Sequence, residues 1–136
     1  MTLTRTKPMR QYRKKRRPGN RAMNKGERLH VTEAKFGRCM PCLSWALQGN
    51  MPIEDVAEHV SYDHKKRGNM RVGHMAGFGS CAWHHFRHPG EGWTFKAMQD
   101  HYGPSLLDGG KLFTAAYGTD AELIALQAAD AVEGLR

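Results

Sequence analysis

Nowhere in these 136 residues does a run of about 18 apolar residues occur, which removes a membrane-spanning helix from consideration. The opening segment also lacks the apolar core of a secretory signal, so the expectation is a protein that stays in the cytoplasm. Apolar residues are in short supply overall, at 40% of the chain, and a small domain with a thin core commonly recruits a metal or disulfides. Cysteine is scarce as well. Three thiols cannot pair completely, and Cys39 and Cys42 stand at a Cys-x-x-Cys spacing that suits a metal better than a long-range bridge. No internal repeat is present.

Acidic residues are nearly missing from the start of the chain. Residues 1–35 carry twelve Lys or Arg against two Glu, whereas residues 36–136 carry nine against eleven Asp or Glu. The whole excess behind the formal charge of +8 therefore sits in the first quarter. Within it the run Arg13, Lys14, Lys15, Arg16 and Arg17 has no apolar period around it, so this stretch is expected to be a disordered arm. Cations brought to phosphates displace condensed counterions, and such an arm would attach non-specifically to nucleic acid. The division expected is an arm over 1–35 and a domain over 36–136.

Inside the domain, Leu43 to Gln48 reads as a short helix stopped by Gly49, and Pro52 to Val60 as a lead into a strand ending Glu58-His59-Val60. Thr94 caps a helix running to Tyr102, with Gly103-Pro104 as its stop. Lys111 to Tyr117 is a shorter helix ended by Gly118. Thr119 with Glu122 forms a capping-box pattern for a last amphipathic helix ending near Gly134.

Two clusters carry the chemistry: Cys39-Met40-Pro41-Cys42 and Cys81-Ala82-Trp83-His84-His85. Two thiolates on a tight turn, with a thiolate and an imidazole at the same spacing about forty residues later, complete the four ligands of a closed tetrahedral zinc site. The set expected is Cys39, Cys42, Cys81 and His84, with His85 as the alternative to His84. This leaves His59, His64, His74, His85 and His88 in surplus, with Glu58 and Asp63 beside two of them. A second, open metal site is the natural use for them. Phosphodiester hydrolysis needs a base to activate water and a cation to neutralise charge on the phosphoryl group.

The order of these motifs resembles the HNH, or ββα-metal, endonucleases: a Cys-x-x-Cys knuckle, then Glu58-His59-Val60, then Cys81-x-x-His84-His85. Within that superfamily the stretch GHMAGFGSCAWHHF and the tail GPSLLDGGKLFTAAYGTDAELI are similar to the phage Ref family of recombination enhancement nucleases, over roughly residues 36–127. The resemblance implies an α+β fold: a small zinc-stabilised ββα-metal core, C-terminal helices and the basic arm. It makes His59 the general base and Glu58 and His85 the ligands of a catalytic divalent cation (Mg2+, Mn2+ or Zn2+), with His74 as a further metal or phosphate ligand. Asp63-His64 is the alternative acid and base pair. Lys65, Lys66, Arg67 and Arg71 would grip the backbone beside the scissile phosphate. Two positions depart from the pattern, Ala76 at the middle Asn or Asp and Leu107 at a tail histidine. The activity implied is a DNA endonuclease of phage recombination type in a bacterial host cell, acting on DNA coated by a RecA-type recombinase filament. The alternatives are a non-catalytic zinc-finger-like nucleic-acid-binding module and a phage junction resolvase.

Overall fold

The structure, a computed structural model, describes residues 22–58, 60–64, 66–67, 70–71 and 77–133. The first element, α1 (Lys25–Phe36), starts where Asn24 accepts from the Glu27 N–H and the Glu27 carboxylate accepts from the Asn24 N–H, a reciprocal cap that satisfies two orphan donors. It buries Val31 and Ala34 against Tyr62. This helix begins inside the stretch read as the arm, whereas residues 1–21, including Arg13 to Arg17, lie outside the described residues.

The second helix, α2 (Met40–Leu47), opens at Cys39, whose Sγ accepts from the Cys42 N–H, and Pro41 fits the first turn because its missing donor has no partner there anyway. It therefore starts earlier than Leu43, and Gly49 follows it at φ 82° as the expected stop. After a 3-10 turn (Ile53–Asp55), Glu58 makes only an isolated bridge with Arg38, and the strand begins later than expected, as β1 (Ser61–His64). The strand expected to end at Val60 is thus corrected. Lys66–Arg67 (β2) and Met70–Arg71 (β3) pair as a two-residue antiparallel ladder.

Strand β4 (Gly77–Ser80) returns antiparallel to β1 with Ser61 opposite Ser80 and Asp63 opposite Phe78. Gly79 is demanded by close approach, since a Cβ there would meet Val60 Cγ2 and the carbonyl oxygen of Ala34 at the end of α1. Cys81 then turns the chain straight into α3 (Ala82–Phe86), which packs on β1 and β4. Helix α3 ends at Arg87, held at φ 59° and bonded through Nε to Asp108 at 2.9 Å.

Helices α4 (Phe95–Tyr102), α5 (Gly110–Tyr117) and α6 (Asp120–Glu133) follow, with the expected Thr94 cap, Thr119 and Glu122 capping box, and glycine stops at Gly103 and Gly118. Phe113, Tyr117 and Leu123 from this half close over Met40, Leu43, Val60 and Phe78 to make the main core. A buried ion pair, Arg38 to Asp130, ties α6 to the chain just ahead of α2. The architecture is α+β, helices around a small hairpin. Among the described residues no helix is long and apolar enough to cross a membrane.

Candidate metal centre and active-site face

Cys39, Cys42, Cys81 and His84 converge from the start of α2 and the start of α3, with their ligand atoms all within 4.8 Å of one another. The Sγ atoms of Cys42 and Cys81 are 3.9 Å apart, far beyond a disulfide, and the His84 Nδ1 lies 3.4, 3.4 and 3.2 Å from the sulfurs of Cys39, Cys42 and Cys81. A tetrahedral zinc with bonds of about 2.3 Å to sulfur and about 2.0 Å to nitrogen has edges of roughly 3.5 to 3.8 Å. The donor set and its spacing therefore fit a closed, structural zinc site.

The His84 imidazole is aimed by its other nitrogen. Nε2 donates to the Tyr102 carbonyl at 2.8 Å and faces the Tyr117 hydroxyl at 2.9 Å, which leaves Nδ1 for the metal. Since Tyr117 itself donates to the carbonyls of Tyr102 and Pro104, the C-terminal helices are wired to the metal site through this ring. Neither tyrosine was marked in the sequence as a partner of the metal ligands. Burial, reinforced by the thiols of Cys42 and Cys81, raises the Cys39 thiol well above the ordinary range. Hydrogen bonds from Cys39 and Cys42 instead hold Cys81 well below it. Burial works to lower His84, but the thiols of Cys42 and Cys81 raise it to about 10.

His85, the next residue, turns to the other side of α3. Its Nδ1 lies 2.8 Å from Ser61 Oγ and its Nε2 lies 3.7 Å from the Asp63 carboxylate, both on β1. Alternation along the strand puts Ser61 and Asp63 on one face, and the hairpin register carries that face to α3. Asp63 is buried, so its carboxylate needs partners of this kind. His64 closes the same strand. Glu58 is exposed and lines a groove with Ala57, Val60, Ser61, Cys81 and Phe86, at the rim of this face. His59, His74, Lys65 and Ala76 lie outside the described residues, whereas Lys66, Arg67 and Arg71 lie on the short β2 and β3 ladder beyond His64. Leu107 is exposed in the 3-10 turn Leu106–Asp108.

Of the expected site residues, the structure brings together the four zinc ligands and, separately, His85 with Asp63. Sequence reasoning missed Ser61, because a serine in a strand carries no signal until the partner strand and following helix are in place.

No curated protein and no solved structure matches the chain. One family model does, over residues 30–131, from the second turn of α1 to the last turns of α6. That span takes in both the cysteine and histidine cluster and the hairpin face, and by it the chain belongs to the family of recombination enhancement, RecA-dependent nucleases.

Proposed function

We propose that this protein is a metal-dependent DNA endonuclease of the ββα-metal type, hydrolysing phosphodiester bonds in recombinase-coated DNA. The observation that carries the reading is the Asp63 carboxylate 3.7 Å from His85 Nε2, too long for a hydrogen bond and set on a hairpin and helix pinned by the Cys3His cluster. A hard carboxylate and an imidazole side by side suit a divalent cation, which when bound would neutralise charge on the scissile phosphate. The general base takes a proton from the attacking water as its oxygen bonds to phosphorus, and the bond from phosphorus to the leaving sugar oxygen breaks. Of the two acids in question, Asp63 is the one that stands beside His85, which supports Asp63 over Glu58 as the carboxylate of that pair, while the base is His59 or, alternatively, His64. Glu58 would add a second carboxylate to the cation's ligands, and His74 would bind the cation or orient the phosphate. The basic arm and the cations at the hairpin tip supply attraction for the DNA backbone.

The test is cleavage of plasmid and single-stranded DNA with Mg2+ or Mn2+, with and without a RecA-type recombinase. Asp63→Asn and His85→Ala are expected to lose at least a hundredfold in cutting while retaining one tightly held zinc. His59→Ala falling as far while His64→Ala keeps its rate supports His59 as the base; the reverse transfers the role to His64. Tight DNA binding with no cleavage under any condition would instead make the protein a zinc-finger-like binding module. Preference for branched substrates would make it a junction resolvase.

A further inference from the structure

We propose that Phe86 is a stacking platform for a nucleobase of unpaired DNA, holding the strand with its phosphate against the face formed by Asp63 and His85. This rests on the reading of that face as the site of cleavage, and it names the state of the DNA taken there. Phe86 ends α3 and is left 46% exposed, whereas Trp83 on the same helix is buried at 2%. Its ring lies on the His85 imidazole, 3.9 Å between centroids and 18° between planes, and His85 is itself held 2.8 Å from Ser61 Oγ through Nδ1. The exposed ring is therefore oriented by the site it adjoins. The exposed imidazole of His88 stands 5.8 Å from it, tilted by 34°. Phe86 also walls the groove that passes Ala57, Val60 and Ala82 and has Glu58 at its rim.

The chemistry of the groove selects which part of a nucleotide enters it. No Lys or Arg is among the residues that line it, and Glu58 is acidic, so a phosphate gains nothing there. Arg87, the cation next in the chain, is engaged by Asp108 and lies over the Phe95 ring. Flat apolar surface is what remains, and every nucleobase has an apolar face that stacks on an aromatic ring whatever its sequence. In a duplex both faces of each base are already covered by its neighbours, so the ring can take only a base of a single strand or one turned out of the stack. The phosphate of that strand then falls to the neighbouring carboxylate and imidazole face with its cation. A cover for His85 alone would need no aromatic ring, since any apolar side chain of similar size serves.

The experiment uses the full-length, zinc-containing protein without added divalent cation, so that binding is read apart from cleavage. Single-stranded oligonucleotides carrying 5-iodouracil at successive positions are bound and irradiated, and mass spectrometry is expected to map a crosslink to Phe86. Phe86→Leu, which keeps an apolar cover over His85, should bind the single strand about tenfold more weakly by fluorescence anisotropy and leave duplex binding unchanged. Phe86→Tyr should restore the single strand. The basic start of the chain attracts both DNAs, so the difference between them isolates the ring. Zinc content reports that each variant is folded. Absence of any crosslink at Phe86 in the wild type overturns the proposal, even if Phe86→Leu fails to fold, and so does a folded Phe86→Leu that keeps its affinity or loses both DNAs equally. Failure of the underlying reading has a different signature: Asp63→Asn would cut as fast as wild type while the crosslink at Phe86 persisted.

Discussion

At the scale of single residues, two neighbouring histidines with identical chemistry receive separate tasks from what their second nitrogens touch. His84 donates Nε2–H to Tyr102 and turns Nδ1 to the thiols, whereas His85 is held through Nδ1 by Ser61 and turns Nε2 to Asp63. Cys81→Ser and His84→Ala should each lose the zinc, measured by metal content, and unfold with it, because the binding energy of a structural site is folding energy. Tyr117→Phe removes only the hydroxyl behind His84 and should keep the zinc while weakening it by about tenfold in a chelator competition. The four residues of the Cys3His cluster were legible in the sequence because their spacing is local on each side. The contact of Ser61 and Asp63 with His85 was not, since it depends on a strand register and on the face that a five-residue helix presents.

Among elements, those whose signals are local were readable, and those built by pairing were not. Thr94, Thr119 with Glu122, Gly103 and Gly118 mark their helix ends through bonds spanning three or four residues. Strand β1, Ser-Tyr-Asp-His, has no apolar alternation, and its partner Gly-Phe-Gly-Ser earns its place by letting α1 approach, so neither announced itself. Gly79→Ala should therefore cost about 1 to 3 kcal/mol in denaturant unfolding, by pushing a methyl into Val60 and the end of α1. Asp130→Ala should cost more, about 3 to 5 kcal/mol, since it removes the carboxylate that pairs with the buried Arg38 guanidinium. Asp108 offers a pH-dependent case. Burial alone would raise its carboxyl, but the Ser105 N–H, Gln99 and Arg87 outweigh this and hold it below the ordinary range. Its folded form is thus favoured when ionised, so its contribution is complete above the usual carboxylate range and fades as pH falls through the depressed value. Asp108→Asn should lower stability by about 1 kcal/mol at neutral pH, with the gap to wild type closing in acid.

For the molecule as a whole, the excess of Lys and Arg lies at the start of the chain and the remainder is slightly acidic, so under the proposed function attraction to DNA and chemistry on it would belong to different parts of the chain. Residues 1–21 hold nine Lys or Arg and no acid. Removing them should weaken DNA binding and flatten its dependence on salt, by about 0.9 in the logarithmic slope for each phosphate no longer neutralised, as read by fluorescence anisotropy. The domain without them should retain its zinc. One feature of that domain sets how freely its length can change. Because α3 carries a ligand for one metal and, at the very next position, a candidate ligand for another, the segment from Cys81 to His85 tolerates no inserted or deleted residue: a single step would rotate both imidazoles by about 100° at once.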